Sequence, residues 1–310
     1  MKTTHTFLLA AVCALASYAV AAEPLSAAKD TTTIKVSRGT KPVLEYRFAS
    51  VPFKPYVSQL WTPGGVQVLR DSPHDHKHHH GLMFAIEAGG VDFWSETAKN
   101  GKQVSRDPDG PRMRGSGPWF HERLDWVAPD GAVILQEQRS VCAFDEPDLV
   151  GTWVGWRSEI SAAPGRGTVK LTGHHYFGLG ARFLQVMDKD GEFTNASGKP
   201  GETVRGDERL VAAKWCAYSA LVDGRAVTIA IFDNPQNARH PARMFMMSKP
   251  FAYLSATLNL WKEPLELETG QPLVLIYTVV VCDGKLAAAE IENLYQRWMT
   301  MKPIRRRTIQ

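Results

Sequence analysis

The chain of 310 residues has few cysteines, little excess charge and, beyond its N-terminus, no apolar run of membrane-spanning length. Its four cysteines form neither a C-x-x-C pair nor a spacing typical of a metal site, so the chemistry must lie elsewhere. The 36 Lys and Arg residues exceed the 32 Asp and Glu residues by too little to indicate nucleic acid. We expect no nucleic-acid partner and no insertion into a membrane.

The N-terminus carries the pattern of an export signal. Lys2 precedes an apolar stretch from Phe7 to Leu15, and Ala19-Val20-Ala21 follows as a cleavage site of the A-x-A type. The stretch is shorter than the roughly 20 residues that span a bilayer. We predict a signal peptide over residues 1–21 and a periplasmic or secreted mature protein.

Cleavage after Ala21 would leave three cysteines, Cys142, Cys216 and Cys282. Each lies in an apolar, strand-like context, which is typical of a buried, unreactive thiol. One disulfide is also possible in an oxidising compartment, but the sequence does not identify the pair.

Short runs of β-branched and aromatic residues, separated by turn residues, recur along the chain and predict β-strands. Two hairpins are indicated, around Pro129-Asp130-Gly131 and around Asp223-Gly224, the latter a dipeptide typical of tight turns. The runs predicted as strands include residues 43–48, 82–87, 133–138, 168–172, 227–232 and 273–282.

One stretch has a helical pattern, and it lies near the C-terminus. Apolar side chains follow Asp283-Gly284 at spacings of three and four residues. Asp283 is the predicted N-cap, because its carboxylate accepts hydrogen bonds from free backbone N–H groups. The apolar positions are Ala287, Ile291, Leu294, Tyr295 and Trp298.

No Ser/Gly-rich or low-complexity boundary divides residues 22–310, so we predict one domain there. Residues 100–117 and 195–207 are predicted as long loops. A sheet protein of this size buries its core by packing two broad sheets or by closing a barrel. The predicted fold is all-β, a large antiparallel β-sandwich with one C-terminal helix, and a concave sheet face is the expected place for a site.

Histidine is unusually concentrated, because five of the ten histidines lie between His74 and His80. An extended segment from Pro73 to Gly81 would point the four even-numbered histidines to one side and His79 to the other. Neutral imidazoles on one face suit zinc or copper, although a closed ligand shell requires a second element. The alternative is a loop whose histidines bond to backbone or water.

A second motif is LTGHHYFGLGARF at residues 171–183, where His174 and His175 precede Tyr176 and Phe177. Aromatic faces stack on the C–H surfaces of sugars, and imidazole transfers protons near neutral pH. The alternative is a strand whose histidines only satisfy a turn. Trp94 has a similar double interpretation, as a core residue or as a stacking platform beside the imidazoles.

Two family resemblances follow from these motifs. The stretch KPYVSQLWTPGGVQVLRDSPHDHKHHHGLMFAIEAGGVDFW, with TGHHYFGLGARF, IFDNPQNARHPARMF and TGQPLVLIYTVVVCDG, resembles the bacterial family known as PmoA-like, or methane oxygenase PmoA, over almost the whole mature chain. That family has no firmly established biochemical role. Because the chain has no membrane-spanning run, methane oxidation is not predicted from the label.

The second resemblance is to galactose mutarotases (aldose 1-epimerases), which are β-supersandwiches. HHHGLMFA followed by VDFW resembles the context of their first catalytic histidine, and the match places it at His80-Gly81. LTGHHYFGL resembles the motif of their second, at His174. The mutarotases also use a glutamate base, whereas the comparable stretch AIFDNPQNARHP has Asp233 as its nearest carboxylate, in a position that also suits an Asx turn.

Three functions are consistent with these residues. The first is a carbohydrate-active enzyme that requires no cofactor, the second is a zinc or copper protein, and the third is a non-catalytic sugar-binding module. The enzyme hypothesis assigns catalysis to His80, His174 and Asp233, and binding of a small-molecule carbohydrate to Arg70, His79, Trp94, His175, Tyr176 and Asn234. The metal hypothesis assigns the ligands to His78, His80, His174 and His175.

Overall fold

The computed structural model describes residues 23–106, 108–115, 117–145 and 149–301. The predicted signal peptide, residues 1–21, lies outside them, so it stays a prediction.

The described residues form strands, one α-helix and a short 3-10 helix, Gln185–Asp188. The strands are β1 (Leu25–Lys29), β2 (Thr33–Arg38), β3 (Lys41–Arg47), β4 (Tyr56–Leu60), β5 (Leu82–Ala85), β6 (Glu87–Ala88), β7 (Val91–Asp92), β8 (Lys102–Ser105), β9 (Asp109–Arg114), β10 (Gly117–Val127), β11 (Val133–Phe144), β12 (Thr152–Ala162), β13 (Val169–Thr172), β14 (Gly178–Arg182), β15 (Glu192–Asn195), β16 (Glu202–Arg205), β17 (Glu208–Ala212), β18 (Trp215–Val222), β19 (Arg225–Asp233), β20 (Arg243–Met247), β21 (Tyr253–Thr257), β22 (Leu265–Leu267) and β23 (Leu273–Asp283), and the helix is α1 (Ala288–Thr300).

Two large antiparallel sheets make up most of the fold, and a small four-stranded sheet has the order β22-β13-β6-β7. The ten-stranded sheet has the order β1-β2-β3-β4-β5-β14-β21-β20-β17-β16. The nine-stranded sheet has the order β15-β18-β19-β23-β12-β11-β10-β8, with β9 paired to β10. Side chains from both sheets share one core cluster, among them Phe84, Leu254, Ile229 and Val279. The predicted all-β class, an antiparallel sandwich with one C-terminal helix, is confirmed.

Strand β23 is apolar along almost its whole length, because both of its faces are covered. Leu275, Tyr277 and Val279 belong to the core between the sheets. Ile276 and Val280 lie on the opposite face, where they pack with α1. The predicted helix is therefore confirmed, and Ile291, Tyr295 and Trp298 form its buried stripe.

The predicted N-cap of this helix is wrong. Asp283 is the last residue of β23, and its carboxylate accepts hydrogen bonds from the Thr62 hydroxyl (2.6 Å) and the Gly64 N–H (2.7 Å). The N-cap is Ala287, whose backbone N–H donates to the Glu290 carboxylate at 2.7 Å. Asp283 joins the two large sheets rather than capping the helix.

Both predicted hairpins are present, as β10–β11 and β18–β19. Asp223 and Gly224 have φ values of +49° and +77°, as the two central residues of a type I′ turn require. The two predicted long loops are only partly correct, since residues 100–117 include β8 and β9, and residues 195–207 include β16. Short strands at sheet edges have little apolar periodicity, so their sequences look like loops.

The three described cysteines, Cys142, Cys216 and Cys282, are free thiols, so the possible disulfide does not form among them. No helix in the described part of the chain has the length and apolar character needed to cross a membrane.

Candidate functional site

The outer face of the ten-stranded sheet, the one that points away from the core, is identified by its packing around β14. Phe183 stacks on Tyr218 of the nine-stranded sheet, with ring centroids 4.9 Å apart, so alternate residues of β14 point into the core. Arg182 and Gly180 consequently point outward. Their register partners on β21 are Tyr253 and Ser255, which share that outer face.

An aromatic cluster lies on this outer face, and it joins the two histidine motifs. Its members are His79, Trp94, Phe177 and Tyr253. Trp94 stacks on Phe177 with ring centroids 4.9 Å apart, and the His79 ring lies 5.2 Å from the Tyr253 ring. Trp94 lies 6.2 Å from His79 and 6.0 Å from Tyr253, so it bridges the motifs. Trp94 is 1% exposed and therefore lies beneath the protein surface.

The histidine segment is not extended, so the predicted alternation of its side chains is wrong. The His76 N–H donates to the Pro73 carbonyl (3.0 Å), and the His79 N–H donates to the His76 carbonyl (2.9 Å). These are two successive turns. The rings of His76, His78 and His79 consequently pack on one another, with centroids 4.6 to 5.8 Å apart, while His74 is exposed.

His80 lies between two carboxylates. Its Nδ1 is 2.8 Å from the Asp71 carboxylate, and its Nε2 is 2.9 Å from the Glu96 carboxylate. Burial alone would lower the pKa of His80, but the hydrogen bonds to Asp71 and Glu96 outweigh it and raise the pKa. The ring is 2% exposed and stacks on Tyr56 at 4.2 Å. Both ring nitrogens are thus occupied inside the protein.

The His80 network continues to Trp94. Lys54, fully buried, forms an ion pair with Glu96 and donates to the Trp94 carbonyl at 2.9 Å. Burial raises the pKa of Glu96, but the His80 hydrogen bond and the Lys54 charge together lower it below its usual value. Asp71, His80, Glu96 and Lys54 therefore form a buried ion network that fixes the backbone at Trp94.

His174, His175 and Tyr176 lie at the open side of the cluster. His175 Nε2 is 3.0 Å from the Glu208 carboxylate, and His175 Nδ1 has no hydrogen-bond partner in the described residues. Burial lowers the pKa of His175, with Glu208 opposing that effect. His174 is exposed and stacks on Tyr176 at 5.8 Å. Trp261, 36% exposed, lies 5.5 Å from the His175 ring.

Asp233 lies elsewhere, at the end of β19, and is 1% exposed. Its carboxylate accepts hydrogen bonds from Asn237 Nδ2 (2.7 Å) and the Ala242 N–H (2.8 Å), and lies 2.7 Å from His240 Nδ1. Asn234 forms the Asx turn, since its side-chain oxygen accepts from the Gln236 N–H at 2.9 Å. These contacts hold the loop between β19 and β20.

The predicted metal ligands do not converge. Within the ranges that the structure describes, no group of three or more His, Cys, Asp or Glu side chains could hold a metal ion. His80 uses both ring nitrogens on carboxylates, and His175 uses Nε2 on Glu208. The arrangement therefore offers proton-transfer groups and aromatic surfaces.

Sequence reasoning identified the paired histidines but not their partners. Glu208 lies 33 residues beyond His175, in a stretch without a motif, and Trp261 is a single tryptophan in a loop. Glu96 was also missed, although it lies only two residues after Trp94, where a carboxylate beside a predicted aromatic platform is an obvious partner for a histidine.

No curated protein matches the chain. Among solved structures, a galactose mutarotase related enzyme from Lactobacillus acidophilus is 8% identical, and the match covers 84% of this chain and 100% of that one, with a TM-score of 0.26. A likeness with so low a TM-score supports no conclusion about this chain.

A family model described as a family of unknown function, DUF6807, matches residues 33–296. The match is to this model and not to a PmoA-like one, so that resemblance stays a prediction. Because the match spans most of the chain, the protein belongs to the DUF6807 family.

Proposed function

We propose that the protein binds a sugar beside Tyr176 and Trp261 and catalyses a proton transfer on it, with His175 as the general base. The contact between His175 Nε2 and Glu208 carries the proposal. A carboxylate that accepts from one imidazole nitrogen fixes the tautomer and leaves the other nitrogen as a proton acceptor. Burial lowers the pKa of His175, so the imidazole is neutral at pH 7 and able to accept a proton.

The surroundings of His175 support a sugar as substrate. Trp261 and Tyr176 lie 5.5 Å and 5.0 Å from the His175 ring, and both rings are partly exposed. Such rings stack on the apolar C–H faces of sugars. His174 is exposed beside Tyr176 and would donate or accept a proton on the other side of a bound ring.

The proposal changes the roles of two residues. His80 has both nitrogens bonded to carboxylates, so we assign it to positioning Trp94 rather than to the chemical step. Asp233 is buried and fully engaged with its own loop, so we assign it to loop structure. We retain the periplasmic or secreted location as part of the proposal; a mature N-terminus at Ala22 in exported protein would support it, and retention of residues 1–21 would contradict it.

The chemical step is tested with His175→Asn and Glu208→Gln in the full mature protein. A panel of reducing sugars and glycosides is followed by NMR anomer exchange and by mass spectrometry. We expect His175→Asn to reduce turnover about 100-fold or more, because a general base contributes that factor, with sugar affinity within about twofold of wild type. The matched control is His74→Asn, an exposed histidine without a partner in the site.

The pH dependence gives an independent check of the base. Only the deprotonated imidazole accepts a proton, and a lowered pKa keeps it deprotonated in mildly acidic solution. We expect kcat/KM to stay constant from pH 8 down to about 6.5, the usual histidine pKa, and to fall only below it. Unchanged turnover in His175→Asn would contradict the proposal, and sugar binding without any product would identify a binding module.

The binding platform is tested separately with Trp261→Ala. Loss of the stacking surface should weaken sugar binding about fivefold to tenfold, as measured by calorimetry. Trp119→Ala is a matched control, because Trp119 is also half-buried and lies under a cation, Arg114, as Trp261 lies under Lys262. Trp119 is on β10 of the other sheet, so its loss should leave affinity unchanged. Equal effects of the two variants would contradict a specific platform.

A further inference from the structure

A group of unpaired polar atoms is buried in and around the aromatic cluster. Within the described chain these atoms have no hydrogen-bond partner, although a buried polar group left unpaired costs about 1–3 kcal/mol. Native proteins keep few such groups, so several together require an explanation. The atoms are His79 Nδ1, Trp94 Nε1, Tyr253 OH, Ser255 Oγ and Arg182 Nε.

Tyr253 connects these groups. Its ring lies 5.2 Å from His79 and 6.0 Å from Trp94. Arg182 is its register partner on β14, and Ser255 follows two positions later on β21, so both share its outer face. Gly180, opposite Ser255, leaves room for the Tyr253 hydroxyl, since a Cβ there would lie 1.7 Å from it. The five unpaired atoms therefore lie around the Tyr253 side chain, and we refer to this part of the outer face as the Tyr253 region.

This region is rich in hydrogen-bond donors. Arg182 is 1% exposed, lies 3.8 Å above the Phe251 ring and donates to the Ala252 carbonyl at 3.0 Å. Its other contact is an ion pair with Asp188 at 3.6 Å, which leaves Arg182 Nε without a partner in the described chain. Trp94 Nε1 and Arg182 Nε are donors only, and the hydroxyls of Tyr253 and Ser255 donate as well.

The protonation state of His79 also reflects these buried, donor-rich surroundings. Burial first, and then the charges of His78, His76, Arg182 and Lys54, lower the pKa of His79 to about 2. Each of these neighbours is positive when protonated, so His79 stays neutral and the region disfavours a further cation. The neutral imidazole can still donate one hydrogen bond.

We infer that the outer-face region around Tyr253 binds the carboxylate of a sugar acid, with Arg182, Tyr253 and Trp94 as donors. Guanidinium–carboxylate hydrogen bonds are among the strongest that proteins form. The inference deepens the proposed function and rests on it, because Trp94 lies 5.5 Å from the ring of Tyr176, so the donors and the proposed sugar face belong to one site. The turn segment at residues 72–79 covers Tyr253 and must move for a ligand to enter; its hydrogen bonds between His79 and Ser72, and between His76 and Pro73, are internal to it.

The experiment compares matched pairs of ligands, D-galacturonate with D-galactose and D-glucuronate with D-glucose, by calorimetry on the full mature protein. We expect the uronates to bind about tenfold or more tightly than the neutral sugars, the gain typical of a charge-assisted contact. Tyr253→Phe should weaken uronate binding about tenfold and leave neutral sugars unaffected. It should not lower Tm, because the hydroxyl it removes has no partner within the described chain.

Tyr277→Phe is the matched control. Its hydroxyl is also buried without a partner, but it lies on β23 in the other sheet, so uronate affinity should not change. Equal affinity for uronates and neutral sugars would overturn the inference and leave the proposed function intact. Acetate competing as well as a uronate would also overturn it, since the site would then hold only an anion. Tight uronate binding without turnover would instead contradict the proposed catalysis and support the inference.

Discussion

Glu122 shows how one residue makes the interior of this sandwich sensitive to pH. It is fully buried between the sheets and accepts a hydrogen bond from the Tyr46 hydroxyl. Arg139, equally buried, pairs in bidentate fashion with Glu137 and lies 4.6 Å above the Trp156 ring. Burial raises the pKa of Glu122 to about 7, although the Arg139 charge opposes the rise.

This pKa predicts the direction of a stability change. A carboxyl group whose pKa is higher in the folded protein stabilises the fold fully below the unfolded pKa of about 4.3, and that contribution is lost as the pH rises through 7. The loss from Glu122 amounts to about 4 kcal/mol over the whole range, on the scale of 1.36 kcal/mol per pKa unit. Glu122→Gln should remove this loss, because the amide does not ionise.

The measurement is urea unfolding of wild type and variant at pH 5 and pH 8. The wild type should lose about 3 kcal/mol more than Glu122→Gln between the two values. Glu268→Gln is the control, because Glu268 is exposed and should give the wild-type pH profile. The same loss in Glu122→Gln as in the wild type would contradict the assignment.

At the scale of elements, two loops position the Trp261 platform. Asp233 holds the loop between β19 and β20 through Asn237, His240 and the Ala242 N–H. Arg239 projects from that loop and donates to the carbonyls of Leu258 (2.9 Å), Glu263 and Pro264 (3.1 Å). These carbonyls belong to residues on either side of Trp261 in the sequence. Asp233 therefore affects the position of Trp261 indirectly, because it holds the loop from which Arg239 binds them.

Arg239→Gln should release the Trp261 loop without changing the chemical groups. We expect KM for the sugar to rise about fivefold to tenfold, comparable to loss of the Trp261 ring, while kcat stays within about twofold. Arg166→Gln is the control, because Arg166 also donates to a backbone carbonyl, that of Val133, in a loop of the other sheet. A fall in kcat with KM unchanged would show that the loop does not act through binding.

The elements themselves were largely predictable, because hydrophobic periodicity is local. The pattern after Asp283 predicted α1, and the Asp223-Gly224 turn predicted β18–β19. The predicted N-cap was wrong because the Asp283 carboxylate accepts a hydrogen bond from Thr62, more than 200 residues away in sequence. No local pattern contains such a contact.

The site was predictable in part for the same reason. His174, His175 and Tyr176 are consecutive, so the sequence shows their association directly. The alternation expected around His79 failed because Pro73 and its neighbours form turns, and a period-two pattern applies only to extended backbone. The contact between His175 and Glu208 depends on the order of strands in the ten-stranded sheet, and hydrophobic periodicity does not determine that order.

At the scale of the whole molecule, the two large sheets differ in what covers their outer faces. Each packs one face on the shared core. The other face of the nine-stranded sheet is covered by α1, which gives a second apolar cluster. The other face of the ten-stranded sheet is covered by loops that carry histidines, tryptophans and carboxylates, so polar chemistry concentrates there. Helix α1 thus covers a second apolar core, whereas these loops carry the proposed site.

The position of β23 also determines when the molecule can be completed during synthesis. It is the last strand that the structure describes, yet it lies in the middle of the nine-stranded sheet, between β19 and β12. The two halves of that sheet can therefore join only once residues 273–283 have been synthesised. Until then, β12 and β19 expose long unpaired edges, which are prone to aggregate.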